Sequence, residues 1–397
     1  MTLAHGRPYL AIPGPSVMPD RVLNAMHRPA PNIYEGALVE TVRGLIPDLQ
    51  AVARTDADVA IYVCNGHGAW EAAASNIIRP GETLLVLSTG RFATGWGEIF
   101  ARLGADVKMI DFGNHAPIDM GRVEAALKAD HGHAIKAIVT VHVDTATGVR
   151  NDIAALRKVI DRVGHPALLA VDCIASLAVD RFEMDAWGVD VIVAASQKGL
   201  MTPPGLGFVF FNAKAKAAQV DTASWYWDWR PRTAPAHFYE YFGGTAPTHH
   251  LLGLREALDM IAEEGGVEAV WARHERLARA AWAAFEAWGQ GGPLKINIQD
   301  TAYRSHAVTA LSLGGNDGSR LRAWVEQKAG VTLGIGLGMA EPDDPAWHGF
   351  FRLGHMGHLN AHMLMGALGA IEAGLVALDI PHGGGALSAA AKVIAEA

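Results

Sequence analysis

Between about residues 58 and 212, short apolar runs alternate with longer segments whose apolar residues recur three and four apart. The runs are DVAIYVC, TLLVLS, DVKMIDF, AIVTVHV, ALLAVD, VDVIVAA and GFVFFN, seven in all. Most lack the apolar–polar alternation of a half-exposed strand, so they read as strands buried on both faces. Intervening segments such as GAWEAAASNII, WGEIFARLG and DIAALRKVIDRVG read as helices. The pattern predicts an α/β fold with a mostly parallel seven-stranded sheet covered by helices on both faces. Ligands of such sheets gather at the C-terminal strand ends, so chemistry is sought where the runs stop.

Beyond residue 212 the pattern changes. A turn-rich aromatic stretch, SWYWDWRPRTAPAHFYEYFGGTAPTHH, precedes two amphipathic segments, LLGLREALDMIAEEG and VEAVWARHERLARAAWAAFEAWG. Strand-like pieces (AVTALSL, FFRLGHM) then mix with helical ones, which predicts a smaller α+β domain. The expected division is an N-terminal segment 1–20, a large domain 21–260 and a small C-terminal domain 261–397. The Ala-rich end after PHGGG reads either as a short extra helix or as a poorly ordered tail.

Composition narrows the class. Half of the 397 residues are hydrophobic and 19% are charged, enough apolar material for a large core. A net charge of −8 without any basic run argues against a nucleic-acid surface, so SWYWDWR reads as packing rather than base stacking. No apolar stretch reaches the ~20 residues of a membrane span, and the N-terminus lacks a signal-peptide pattern. A cytoplasmic protein is the resulting expectation. Cys64 and Cys173 both fall in strand-like runs and offer neither a disulfide framework nor a cysteine metal site. The histidines of GHMGHLNAHM (His355, His358, His362) have no carboxylate or cysteine at ligand spacing, so no metal is expected.

Four strand ends carry unusual residues. NGHG places Gly66 and His67 at a helix start, where free backbone N–H groups suit a phosphate; a simple glycine turn explains it equally well. ALLAVD ends on Asp172, which could cap a helix or pair with a cation. VHVDTATGV ends on a polar cluster that includes Asp144 and Thr145, open to a turn reading. VDVIVAASQKGL ends on Gln197 and Lys198, one of only ten lysines in the chain. A buried ammonium is costly unless paired or reactive. A lysine that forms a Schiff base, a carboxylate that protonates a ring nitrogen and a helix start that holds a phosphate are what a pyridoxal phosphate enzyme requires.

The segment VDCIASLAVDRFEMDAWGVDVIVAASQKGLMTPPGLGFV resembles the cofactor-lysine region of the class V aminotransferases, in the branch of alanine– and serine–glyoxylate transaminases. The similarity extends through IPGPSVMPDRVLNAM, NGHGAWEAA, STGRF, HVDTATGV, TAPTHHLLGLREAL and FFRLGHMG, in collinear order. It implies a fold-type-I homodimer binding pyridoxal 5′-phosphate at shared active sites. Lys198 would carry the cofactor, Asp172 would face its ring nitrogen, Phe92 would stack on the ring and Thr145 would contact the ring oxygen. Gly66, His67 and Gln197 match phosphate- and ring-side contacts, Thr245 a contact from the partner subunit, and Phe242 stands where relatives carry an interface tyrosine. Arg352 matches the clamp for the substrate α-carboxylate, with Gly14 and Tyr34 also assigned to the substrate side.

The implied activity is a ping-pong transamination from a small L-amino acid, serine or alanine, to glyoxylate or a similar 2-oxo acid. Near the N-terminal active-site segment, relatives often carry an HRSP-like stretch, whereas this chain reads APNIYEGALVE, so the donor is less defined than the acceptor. Aspartate–glyoxylate and pyridoxamine–pyruvate transamination are the alternatives, although relatives of the latter kind carry a glutamate near the position of His67. A class V lyase such as a cysteine desulfurase would need a mobile catalytic cysteine, and both cysteines here read as buried. A non-catalytic cofactor-binding module would be expected to lack Lys198 or Arg352.

Overall fold

The computed structural model describes residues 2–221 and 224–396. The chain enters through β1 (Tyr9–Ala11), then lays down β2 (Asp58–Cys64), β3 (Thr83–Ser88), β4 (Asp106–Asp111), β5 (Ile135–Val141), β6 (Leu168–Asp172), β7 (Val191–Ala195) and β8 (Gly205–Phe211). Strands β2 to β8 form one seven-stranded sheet in the order β2-β8-β7-β6-β5-β3-β4, matching the seven apolar runs. Only β8 runs against its neighbours; the others are parallel, so their C-terminal ends share one edge.

Alternate side chains of most strands of this sheet, edge strand β2 included, enter two cores. Val59 and Ile61 join the core on one face, and Ala60 and Tyr62 join the core on the other. The run DVKMIDF departs from this pattern. It forms edge strand β4, where Asp106, Lys108, Met109 and Asp111 are exposed. Polar residues on an edge discourage pairing with another sheet.

Side chains fix the helix starts. Asn65, Asp119 and Asp152 each accept N–H bonds from the first turn of the helix they precede. The helix Ile153–Val163 ends on Gly164 at φ 68°, a left-handed cap that favours glycine.

The smaller sheet joins β1 to β9 (Lys295–Ile296), β10 (Val308–Ser312), β11 (Val331–Ile335) and β12 (Phe350–Gly354), in the order β1-β11-β12-β10-β9. Arg352 on β12 lies opposite Ala310 and Gly334. The long helix Val267–Gly289 bridges both regions: Val267, Val270 and Trp271 pack in the large core, Leu277 to Trp288 in the small one. The Ala-rich end is a helix, Ala386–Ala395, whose Ala386 and Ala390 pack in that small core. No helix among the described residues is long and apolar enough to cross a membrane.

Candidate active site

Four parallel strand ends and the loop after β7 enclose a cavity of about 200 Å³. It is lined by Gly66 and His67 after β2, Phe92 after β3, Thr145 after β5, Asp172 at the end of β6, and Gln197 and Lys198 after β7. Residues far apart in sequence meet there because parallel strands deliver their C-termini to one edge.

Asp172 is buried, with 3% of its surface exposed. Its Oδ1 accepts the Ile174 N–H at 2.6 Å and its Oδ2 accepts the Trp70 indole N–H at 2.9 Å. Burial pushes its carboxyl up to about 7, reinforced by Asp144 and opposed by those two donors and by Lys198. Trp70 was not among the residues singled out from sequence. Its only signal is helical spacing, three residues after His67, whose ring lies 4.6 Å from the indole.

Lys198 is held by the N-terminal segment. Its Nζ donates to the Pro13 carbonyl, Ser16 Oγ donates to the Lys198 carbonyl at 2.8 Å, and the Ser16 N–H donates to the Gln197 carbonyl at 2.9 Å. Gly14 sits against the lysine at φ 107°; a Cβ there would overlap the ammonium, so only glycine fits. Burial pulls the Lys198 ammonium down to about 8, Arg352 lowers it further and Asp172 opposes. An amine so tuned is partly neutral near physiological pH and can accept a proton.

The helix start after β2 differs from the expectation of free amides. Asn65 Oδ1 already accepts the N–H groups of His67 (3.1 Å) and Gly68 (3.2 Å). An incoming anion is left with the Gly66 N–H, the His67 ring and the Gln197 amide. Burial and then Arg91 hold the His67 imidazolium below its usual range. The Gln197 side-chain oxygen is buried without a partner among the described residues, and a polar ligand group would satisfy it.

Phe92 joins the cavity wall with its ring 6.2 Å from Trp70, and its N–H donates to Asp144. Arg352 comes from the small sheet and is 6% exposed. Its Nε donates to the Ile335 carbonyl and its Nη1 to the Thr145 carbonyl, both at 2.7 Å, leaving Nη2 free for a ligand among the described residues. Burial lowers its guanidinium to about 10 while Asp144 raises it, so it stays charged at neutral pH.

Three assigned residues lie elsewhere. Phe242 is 1% exposed and packs edge-on against Phe238 at 5.8 Å in this chain's own core, outside the cavity lining. Thr245 is exposed, and Tyr34 is 83% exposed; neither lines the cavity of its own chain. Cys173 is buried and Cys64 largely so, and burial raises both thiols, Cys64 to about 12, which makes them poor nucleophiles. His355 is fully buried, bonded to Thr309 and to the His306 carbonyl. Among the described residues no three His, Cys, Asp or Glu side chains are grouped to hold a metal ion.

Comparison with known proteins gives a consistent result. The family described as aminotransferase class-V matches residues 9–352. The chain is 36% identical to the serine–glyoxylate aminotransferase of Arabidopsis thaliana, covering 92% of this chain and 90% of that one. It is 34% identical to the L-aspartate–glyoxylate aminotransferase of Paracoccus denitrificans, covering 93% and 91%. The crystal structure of the pyridoxamine–pyruvate aminotransferase from Mesorhizobium loti superposes with a TM-score of 0.87 at 26% identity, covering 99% of both chains.

Proposed function

The chain belongs to the class-V aminotransferase family and is a transaminase; from that premise we propose that it binds pyridoxal 5′-phosphate between Lys198 and Asp172 and moves an amino group from serine or alanine to glyoxylate. The observation that carries this reading is a single cavity lined by a lysine amine and a buried carboxylate, with an orphaned amide oxygen beside them. The residues fit the group. Asp172 suits a ring nitrogen, Lys198 an aldehyde, and Gly66, His67 and Gln197 the polar periphery.

When bound, the cofactor supplies an electron sink for the substrate Cα. The ionised Asp172 holds a proton on the ring nitrogen, and the Trp70 and Ile174 N–H groups favour that ionised state. Lys198 would take the proton from Cα as a base and, as an acid, deliver it to the former aldehyde carbon. Phe92 offers a ring face for stacking and Thr145 a hydroxyl. Arg352 receives the α-carboxylate on its free Nη2 edge, a charge-assisted contact that orients the Cα–H bond.

The working form in this reading is a homodimer with shared sites, in which the exposed Thr245 and Tyr34 serve the partner's cavity. Residues 21–260 form the cofactor-holding unit and 261–397 the smaller one, with segment 1–20 crossing between them. A cytoplasmic setting is supported by two free cysteines.

The test is incubation with each donor plus glyoxylate. Serine or alanine should yield glycine together with hydroxypyruvate or pyruvate. Glycine from aspartate alone would reassign the donor, and turnover only of pyridoxamine with pyruvate would favour that alternative. Ammonia released without glycine would overturn transamination.

A further inference from the structure

Asp144 lines no part of the cavity, yet three site elements converge on its carboxylate. It is fully buried. Oδ2 accepts the Phe92 N–H at 2.9 Å, which holds the first turn of helix Arg91–Arg102 against the loop after β5. Oδ1 accepts the Ala146 N–H at 2.8 Å, and the backbone closes the same loop through Asp144 N–H to Val149 and Gly148 N–H to Asp144. Between Asp144 and Ala146 lies Thr145, whose side of the loop faces the cavity and whose carbonyl takes the Arg352 Nη1 bond. A Cβ on Gly90 would come within 2.6 Å of the carboxylate, so strand end β3 presses directly on it.

We propose that Asp144 is a positioning residue that couples the ring wall at Phe92 to the carboxylate clamp at Arg352 through the Thr145 loop. This rests on the transaminase reading above, because the clamp has meaning only if Arg352 receives the substrate carboxylate. The anion serves two ends at once. It satisfies two backbone donors that would otherwise be buried and unpaired, and its charge favours the cationic state of Arg352. Removing the charge while keeping the shape turns an amide N–H toward one of those donors. The loop then shifts, and the carbonyl that anchors Arg352 moves with it.

Steady-state kinetics of the cofactor-loaded enzyme test this with Asp144→Asn, Arg352→Lys and the double variant, using whichever donor the wild type turns over best. Asp144→Asn should raise the donor KM about tenfold to a hundredfold, the scale of a displacement near 1 Å. In the Arg352→Lys background the same change should add less than about twofold, because residues acting through one contact are not additive. A KM within twofold of wild type, or an effect that multiplies in full in the double variant, overturns the coupling. If Asp144→Asn does not fold, Asp144→Glu keeps the charge but displaces it toward Gly90, and should show the same KM rise. Failure of both to fold would assign Asp144 to the core alone and overturn the proposal. A wild-type protein without cofactor absorbance or turnover of any donor would instead break the underlying transaminase reading.

Discussion

Two stretches of this chain carry residues matched to the cofactor, and they behave differently. The strand-end wall of the large sheet delivers Gly66, His67, Phe92, Thr145, Asp172, Gln197 and Lys198 to a single cavity. The segment Phe238–Thr245 delivers nothing to that cavity: Phe242 is sealed in the core and Thr245 is exposed. The first stretch is positioned by sheet registry within one chain, which fixes neighbours to within a hydrogen-bond length. The second lies outside the sheet, a capped 3₁₀ helix (Phe238–Phe242) and the turn after it, and it lines no part of its own chain's cavity. A single chain therefore brings matched residues together only where its own sheet places them.

The largest effect that would break this contrast is at Lys198. Lys198→Ala should lower turnover by about 10³-fold or more, the range of a positioned acid–base group, and abolish the visible absorbance of bound cofactor. Retention of both would remove the wall's central residue. Asp172→Asn comes next, with kcat reduced about 10²-fold or more while cofactor is still bound, as for loss of a preorganised charge. Unchanged kinetics would make Asp172 a structural residue.

The same substitution has a signature in the cofactor-free protein. Because burial raises the Asp172 carboxyl to about 7, the folded state binds more protons than the unfolded one between about pH 4 and pH 7. Its contribution to stability is therefore present in acid and lost as the pH rises through that window. Asp144, raised to about 6, behaves alike, whereas the buried His142, lowered to about 3, acts in the opposite direction. The difference in Tm between wild type and Asp172→Asn isolates the one group: it should move against the wild type from pH 5 to pH 8. A difference independent of pH would refute the raised carboxyl.

Much of this was legible because the apolar runs are long, β-branched and bounded by turn residues. All seven large-sheet strands coincide with them, and the rule that ligands gather at C-terminal strand ends pointed to Lys198 and Asp172. What stayed hidden depends on contacts made across the fold. Trp70 looks like an ordinary apolar helix position until its indole N–H meets Asp172. Pro13 and Ser16 are separated from Lys198 by more than 180 residues, and only the fold shows them holding it. Asn65 reads as a glycine-turn companion, yet its side chain occupies two amides that a phosphate was expected to use. Asp144 and Asp172 are both strand-end aspartates; that one turns inward to backbone and the other toward the cavity follows from tertiary placement alone.

The sealed side of the comparison is tested by Phe242. Phe242→Ala should destabilise the protein by about 3–5 kcal/mol through the cavity it leaves, read as a lower denaturation midpoint, while leaving cofactor affinity within about twofold at a temperature where the variant is folded. Loss of cofactor affinity without loss of stability would return Phe242 to the site.

The smallest expected effect is also the most discriminating, because it separates a shared site from a self-contained one. Thr245 is exposed and outside its own chain's cavity, so Thr245→Ala should change the stability of the cofactor-free protein by no more than about 0.5 kcal/mol, as for ordinary surface positions. If a second copy brings Thr245 to the cofactor, the loss of one hydrogen bond should weaken cofactor binding about fivefold to tenfold, the equivalent of about 1 kcal/mol. The measurement is a cofactor titration of wild type and variant at several protein concentrations. In a shared site the wild type's advantage shrinks on dilution, as the dimer dissociates and both proteins converge on the single-chain affinity. Equal affinities at every concentration would leave the cavity complete within one chain and remove Thr245 from it.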